Sequence, residues 1–435
     1  MLEIKMIAYP DSYYADSANK TENYPELEGE HTADVCVVGG GYSGLSTAIS
    51  LREKGYSVTL IEGAQIGFGA SGRNGGQLVN SFSRDIDHIE KHQGTKTAQA
   101  LGDMAFEGAD IIRDLIKRYD IDCDYKQGGF FAAFTDKQMK GLEQKKALWE
   151  RFGNTKLEMI ADNQVKNILD TDAYVGGLVD NHCAHVHPLK LALGEAAALA
   201  SIGGKIFEQS KVIDIEQVKD GLNENVIVKT AKGRVTAKTL VLAGNAYMGN
   251  LQPELAKKSM PCGTQIVTTE VLPEALAKSL IPSQYCVEDV NYKLDYYRVT
   301  ADNRLLFGGG VTYGGGDPAS IKAFLKPHMN KIFPAMQDYK IDYAWGGDFL
   351  LTLNRLPQMG KIGNNIYYTQ GYSGHGVNTS HLGGRLMAEV ISGEHSRYDV
   401  FAGLPHYNFP GGRLLRVPAV IAGAWYYGVR DKLGF

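Results

Sequence analysis

DVCVVGGGYSGLSTAISLREKGYSVTLIE, residues 34–62, is the stretch whose reading decides the fold. Asp34 to Val38 is a β-branched run that stops at Gly39, and Ser43 to Lys54 places Leu45, Ala48, Ile49 and Leu51 at helical spacing. Gly55 closes that helix and Ser57 to Glu62 reads as a second strand, so the segment predicts strand, glycine turn, helix and parallel strand. Gly39, Gly41 and Gly44 stand in GxGxxG spacing between the first strand and the helix. There the first glycine permits the turn, the second lets a pyrophosphate approach the backbone, and the third lets helix and strand pack closely. The helix start, with Tyr42 and Ser43, offers free N–H groups and partial positive charge to phosphates. Glu62 lies eighteen residues beyond Gly44, where a carboxylate accepts hydrogen bonds from ribose hydroxyls and repels a 2′-phosphate. That argues against NADP.

Two further clusters separate FAD from NAD. Gly67 to Leu78 (GFGASGRNGGQL) is open enough to wrap its N–H groups around the rest of a pyrophosphate and a flavin edge, through Gly69, Ala70, Ser71, Gly72, Arg73, Asn74, Gly75, Gly76 and Gln77. Arg73 is placed to add charge at the phosphates or to bind a substrate acid. Gly371 to Gly376 (GYSGHG) follows a strand pattern and opens a helix, so Ser373, Gly374, His375, Gly376 and Val377 can bring a helix N-terminus to the flavin pyrimidine edge. His375 is expected to hold that loop, with a direct chemical role as the alternative. Ala243 and Gly244, ending the apolar run TLVLA, offer another close backbone approach.

Composition sets the outer limits. The 435 residues include 51 glycines, where average usage of about 7% would give roughly 30, so many tight turns or close approaches are needed. A net charge of −4 without a basic stripe excludes nucleic-acid binding as the main task. The five cysteines are scattered, with no spacing suited to a metal, and predict reduced thiols in a cytoplasm. The N-terminus lacks a signal-peptide pattern, and the apolar stretch Val417 to Tyr427 is too short to span a bilayer, which leaves peripheral membrane contact at most.

The expected fold class is α/β: a Rossmann-like FAD-binding domain interleaved with an α+β substrate domain that contains a mostly antiparallel sheet. The FAD-binding domain takes residues 32–93, 182–261 and 344–396, and the substrate domain 94–181 and 262–343. Residues 1–31 form an arm on the surface, and 397–435 a C-terminal extension. Helices are expected over Thr95 to Tyr119 and Asp136 to Phe152. Strands are expected near 129–134, 225–230, 234–237, 239–243, 263–271, 292–300, 305–308 and 365–370, with Gly308 to Gly310 and Gly314 to Gly316 as turns.

Taken together, GGGYSG with Glu62, GASGRNGGQ, HVHP (His185 to Pro188), TLVLAGNAY, YYRVTADNRLLFGGG and RLPQMG with GYSGHG resemble the superfamily of FAD-dependent D-amino-acid oxidases, sarcosine oxidases and glycine oxidases, from about Asp34 to Ile391. The resemblance implies an extended FAD, its adenine end at Glu62 and Val212 and its flavin between the two domains. More specific stretches, SYYADSANK (Ser12 to Lys20), SRDID (Ser83 to Asp87), MPCGTQ (Met260 to Gln265) and LPHYNFPGGR (Leu404 to Arg413), imply the family chemistry at a particular substrate. That chemistry is oxidation of the primary amine of gamma-glutamylputrescine to gamma-glutamyl-aminobutyraldehyde, with ammonia and hydrogen peroxide released, in putrescine catabolism. Oxidation of another amine or amino acid, or electron transfer to a quinone instead of O2, remains open, as does the oligomeric state. The chain departs from the wider family at Asn354, where many members carry an acid, and at Asn378, where sarcosine oxidases place a basic residue for the substrate carboxylate. No cysteine lies between Asn291 and Gly376, where sarcosine oxidases attach flavin, which implies non-covalent FAD.

Flavin oxidation of an amine requires a neutral amine, its C–H held at the cofactor, and a cover that excludes water. The run Asn291 to Thr300 (NYKLDYYRVT) alternates so that Tyr296 and Arg298 share one face. Arg298 is expected to bind the glutamyl carboxylate and Tyr296 to shape the cavity wall, an interdomain ion pair with aromatic core packing being the competing reading. Lys293 is a candidate for assisting oxygen, against the simpler reading of a solvated lysine.

Overall fold

The computed structural model describes residues 7–18, 23–220, 223–249, 251–312, 317–410 and 417–418. Its first sheet grows from the expected unit. Strand Gly29–Val38 lies parallel to Val58–Ile61 on one side and to Gly233–Leu242 on the other, and Lys205–Phe207 and Ile366–Gln370 extend the parallel set. Gln358–Ile362 closes one edge antiparallel to Ile366–Gln370, and the hairpin Asp214–Asp220 with Asn223–Lys229 pairs onto Gly233–Leu242. Helix Tyr42–Glu53 leaves the first strand through the glycine turn and packs against helices Pro188–Ser201 and Gly376–Ile391. The apolar strand residues Val35, Val37, Val58 and Leu60 are buried under these helices, as both-face burial of a parallel sheet requires.

The second sheet runs in the order Ile341–Thr352, Ser259–Thr269, Leu305–Thr312, Asp295–Val299, Cys286–Asp289, Lys126–Ala133, Gly176–His185 and Gln77–Leu78, with Leu157–Ala161 paired to Gly176–His185. Its pairs are antiparallel except Cys286–Asp289 with Lys126–Ala133. The two-residue period sorts its side chains. Phe130, Val287, Tyr297, Phe307 and Val267 lie in one cross-strand row and bury against Ile321, Leu325 and Met329 of helix Pro318–Ile332. The neighbouring row, Phe131, Glu288, Tyr296, Gly308 and Ile266, takes the opposite face, toward the first half of the molecule.

Several expectations change here. Gly176–His185 and Ile341–Thr352 pair in the second sheet, although the sequence pattern places the chain from His182 and from Ala344 in the nucleotide domain. The helical stretch Thr95 to Tyr119 is two helices, Thr95–Gly102 and Glu107–Tyr119, and the latter packs against Gly376–Ile391 in the nucleotide half. Gly308 to Gly310 are strand residues rather than a turn; a Cβ at Gly308 would run into the Tyr296 ring, so the glycine makes room for that tyrosine on the next strand. Gly314 to Gly316 fall outside the described residues.

The N-terminal arm is not a surface feature. Helix Tyr13–Ser17, with Ser12 Oγ accepting from Ala15 N–H at 3.2 Å, drives Tyr14 to full burial. Its ring meets His187 at 4.8 Å and Trp345 at 5.1 Å, and the cluster includes Leu189 from the nucleotide half and Ile266 and Leu306 from the second sheet. The arm is therefore a wedge in the seam, invisible to periodicity because so short a helix carries too few residues to show a stripe. The C-terminal extension begins with helix Ser396–Ala402, buried through Tyr398 and Phe401. Most of Val417 to Tyr427, and with it the expected peripheral membrane contact, lies outside the described residues. Among the described residues no helix is long and apolar enough to cross a membrane.

Candidate active site

A cavity of about 1810 Å³ is lined by both halves of the molecule, larger than the roughly 300–1,000 Å³ of an ordinary small-ligand pocket. Gly39, Gly41, Tyr42, Ser43, Glu62, Val212, Ala243 and Gly244 line its first arm. Gly44 does not; a Cβ there would land on the Gly39 carbonyl oxygen, so its place is the helix–strand contact. The Glu62 carboxylate accepts from Gly40 N–H at 2.6 Å and Ala64 N–H at 2.9 Å. Burial still pushes its pKa above the ordinary carboxylate value, against those two N–H groups.

From the second cluster, Gly69, Ala70, Ser71, Arg73, Asn74, Gly75 and Gln77 line the cavity. Gly72 and Gly76 lie behind it, facing the Gly67 and Val186 carbonyls, and shape the loop instead. Asn74 holds the loop: its Nδ2 donates to Ala70 O at 3.0 Å and its Oδ1 accepts from Gly76 N–H at 2.8 Å. Arg73 donates from Nε to Phe68 O at 2.6 Å and lies over the Phe68 ring at 4.4 Å. From the third cluster, Ser373, Gly374, His375, Gly376 and Val377 line the cavity, whereas Gly371 is set behind, against Thr352. Burial, reinforced by the Lys145 charge, lowers the His375 pKa to about 4, so the imidazole is neutral near pH 7.

The residues present fit a dinucleotide on three observations. Helices Tyr42–Glu53 and Gly376–Ile391 both start at the cavity without a hydrogen bond from the N-cap side chain, and although Ser71 Oγ accepts from Tyr42 N–H at 3.0 Å, further N–H donors of the first turns face an anionic group. Gln77 Nε2 is buried at the cavity and has no hydrogen-bond partner among the described residues. The volume exceeds what one small substrate fills.

On the facing wall Tyr296 lines the cavity, its OH 3.0 Å from Thr264 Oγ1, and Lys293 sits exposed at the rim. Two expected substrate contacts are displaced. Arg298 shares the Tyr296 face but lies two residues farther along the strand, where the Gly75–Gly76 turn covers it. Its Nε donates to Gly75 O at 2.9 Å and its Nη2 to Tyr14 OH at 3.3 Å, so the guanidinium braces the cofactor loop against the arm instead of meeting a substrate carboxylate. Asn378 is buried within helix Gly376–Ile391, off the cavity, and donates to Val79 O at 2.9 Å; the helix turns it away from the lining residues Gly376 and Val377.

Sequence reasoning missed Tyr372, Asp85, Lys145, Trp149 and Glu288, all cavity-lining. Tyr372 OH, within hydrogen-bond reach of Ser43 Oγ at 2.6 Å and Thr369 Oγ1 at 2.8 Å, ties the third cluster to the first. Glu288 sits on a strand of four residues, too short for its alternation to be recognised.

The family model described as FAD dependent oxidoreductase, DAO, matches residues 34–390. The chain belongs to this family. As an FAD-dependent oxidoreductase it is 56% identical over 430 residues to gamma-glutamylputrescine oxidoreductase of Escherichia coli K12, covering 99% of this chain and all of that protein. It is 40% identical to the probable oxidoreductase OrdL of Haemophilus influenzae, again over 99% of this chain and 100% of the relative. Among solved structures, glycine oxidase from Geobacillus kaustophilus superposes with a TM-score of 0.70 at 21% identity, over 87% of this chain and 100% of that one, which speaks to the shared fold. FAD is the cofactor of this family, and the two helix starts and the Glu62 strand end are the candidates for holding it.

Proposed function

We propose that this FAD-dependent oxidoreductase oxidises the primary amine of gamma-glutamylputrescine to gamma-glutamyl-aminobutyraldehyde in putrescine catabolism. The reading is carried by the 56% identity, across 99% of the chain, to a relative bearing that substrate's name. It is supported by a cavity well above the roughly 300–1,000 Å³ of an ordinary small-ligand pocket. FAD held by the glycine loops would supply the two-electron redox chemistry, by which a hydride equivalent from the amine C–H and a proton from the amine nitrogen would pass to oxygen as hydrogen peroxide. The resulting imine takes up water and breaks into aldehyde and ammonia.

The chain's own residues supply place and field. The cavity-lining glycine loops would offer backbone N–H groups to the cofactor, and helix Gly376–Ile391 turns the positive end of its dipole to the cavity, where it would stabilise negative charge on a reduced flavin. Tyr296 and Phe131 line the cavity on either side of Glu288 and would give the substrate chain an apolar surface. In this reading the first half serves the cofactor and the second sheet the substrate. FAD is held without a covalent bond, in line with the absence of cysteine from Asn291 to Gly376, and acid precipitation should leave the yellow flavin in solution. The five buried cysteines, none in a disulfide, favour a cytoplasmic site of action.

Anaerobic titration of the holoprotein with gamma-glutamylputrescine, putrescine, sarcosine and D-alanine, followed by flavin absorbance, tests the assignment. Gamma-glutamylputrescine should bleach it fastest and readmitted air should yield peroxide. Faster bleaching by sarcosine or D-alanine would overturn the substrate, and bleached flavin that dyes reoxidise but air does not would overturn the oxidase.

A further inference from the structure

The cavity wall opposite the glycine loops carries a cation and a carboxylate, Lys145 and Glu288. Lys145, from helix Asp136–Arg151, lines it, with Nζ donating to Asp85 Oδ2 at 2.8 Å and lying 4.6 Å from the Trp149 ring centroid. Asp85 is fully engaged: it also accepts from Trp149 Nε1 at 2.9 Å, from Ser81 Oγ at 2.9 Å and from Ile86 N–H at 2.9 Å. Among the described residues Asp85 is the ammonium's one hydrogen-bond partner, so Lys145 is anchored at one donor while others remain for a ligand. Its side chain keeps 31% of its surface, and that surface belongs to the cavity wall.

Glu288 stands in the cross-strand row between Phe131 and Tyr296, both of which line the cavity with it. Among the described residues its carboxylate has no hydrogen-bond or ion-pair partner. Lys145 and Glu288 are close enough to influence one another electrostatically but do not touch as an ion pair. The wall therefore presents a cation and a carboxylate side by side with a gap between them. Burial, only partly opposed by Lys145, leaves the carboxyl at about 7, the mark of a group whose counter-charge is missing.

We propose that Lys145 and Glu288 form a receptor for an α-amino acid zwitterion, Lys145 taking the α-carboxylate and Glu288 the α-ammonium of the substrate's glutamyl head. The assignment rests on the reading of gamma-glutamylputrescine as substrate and names the groups that select it over a bare diamine. It takes the place of Arg298, which is buried off the cavity with Nε on Gly75 O and Nη2 on Tyr14 OH.

Calorimetry on the holoenzyme tests it without turnover, using L-gamma-glutamyl-n-butylamide, which lacks the reacting amine, and glutaric acid monobutylamide, which also lacks the α-ammonium. The wild type should bind the first roughly tenfold or more tightly than the second. Glu288→Gln should bind the two alike, and Glu288→Asp should recover part of the preference. Lys145→Met strands Asp85, so it is combined with Asp85→Asn; that pair should weaken both carboxylate ligands by roughly tenfold. A preference that survives Glu288→Gln, or a Glu288→Gln variant that binds both ligands normally but reduces its flavin more slowly, overturns the receptor. The second result would assign Glu288 to the reacting amine. A wild type that prefers the glutamyl ligand yet does not oxidise gamma-glutamylputrescine leaves the receptor standing and removes the functional reading alone.

Discussion

The cavity has two walls made from different materials. The wall of the nucleotide half is largely backbone, presented by the loops of residues 39–44, 69–77 and 373–377, with the Glu62 carboxylate held by two neighbouring N–H groups. The wall of the second sheet is side chain: Phe131, Glu288 and Tyr296 from three adjacent strands, with Lys145 and Trp149 reaching in from a helix. A backbone wall recognises a group shared by a whole family, because phosphates and flavin edges need only N–H donors and room. A side-chain wall can be changed one residue at a time without disturbing the cofactor, which is where substrate choice belongs.

The comparison breaks first if the backbone wall tolerates side chains. Gly44→Val should give colourless protein, since its Cβ would displace the helix from the Gly39 carbonyl; a normal flavin absorbance at purification would refute the packing. Next in size is the seam that holds the walls together. Tyr14→Ala removes a fully buried ring between them and should cost about 3–5 kcal/mol in chemical denaturation. A loss under about 1 kcal/mol would return the arm to the surface.

Arg298 sharpens the division, because it sits on the second sheet but braces the Gly75–Gly76 turn of the other wall. Arg298→Met should destabilise the protein by roughly 1–3 kcal/mol by leaving the buried Gly75 carbonyl without its donor. It should move KM for gamma-glutamylputrescine and putrescine together; a selective rise for the glutamylated amine would restore it to the substrate site. The smallest effect concerns acid. Glu288 titrates near 7 in the folded protein against 4.5 ordinarily, burial being the main cause, so the native state binds a proton that the unfolded chain releases across that interval. This contribution to stability is present below about pH 4.5 and is lost as pH rises toward 7, and Glu288→Gln should flatten that part of the Tm profile. An unchanged slope would mean that the carboxylate already has a partner.

The backbone wall was legible in the sequence because its signal is local. Gly39, Gly41, Gly44 and Glu62 sit within one strand–turn–helix–strand unit, where spacing along the chain fixes spacing in space. The side-chain wall was not, since Phe131, Glu288 and Tyr296 are far apart in sequence and meet only through strand register. Alternation correctly placed Tyr296 and Arg298 on one face, yet it could not say that the Gly75–Gly76 turn would cover the second of them.

By itself, then, the sequence determined the parallel-sheet half, the glycine loops that line the cavity and the family, all of which depend on neighbours within a few dozen residues. The tertiary structure alone decided that Tyr14 is a wedge, that Arg298 is a brace, and that Lys145 and Glu288 face one cavity. Contacts of this kind arise when separate strands pair and two halves close on each other, and no local pattern encodes which of several suitable side chains that closure leaves open to a ligand.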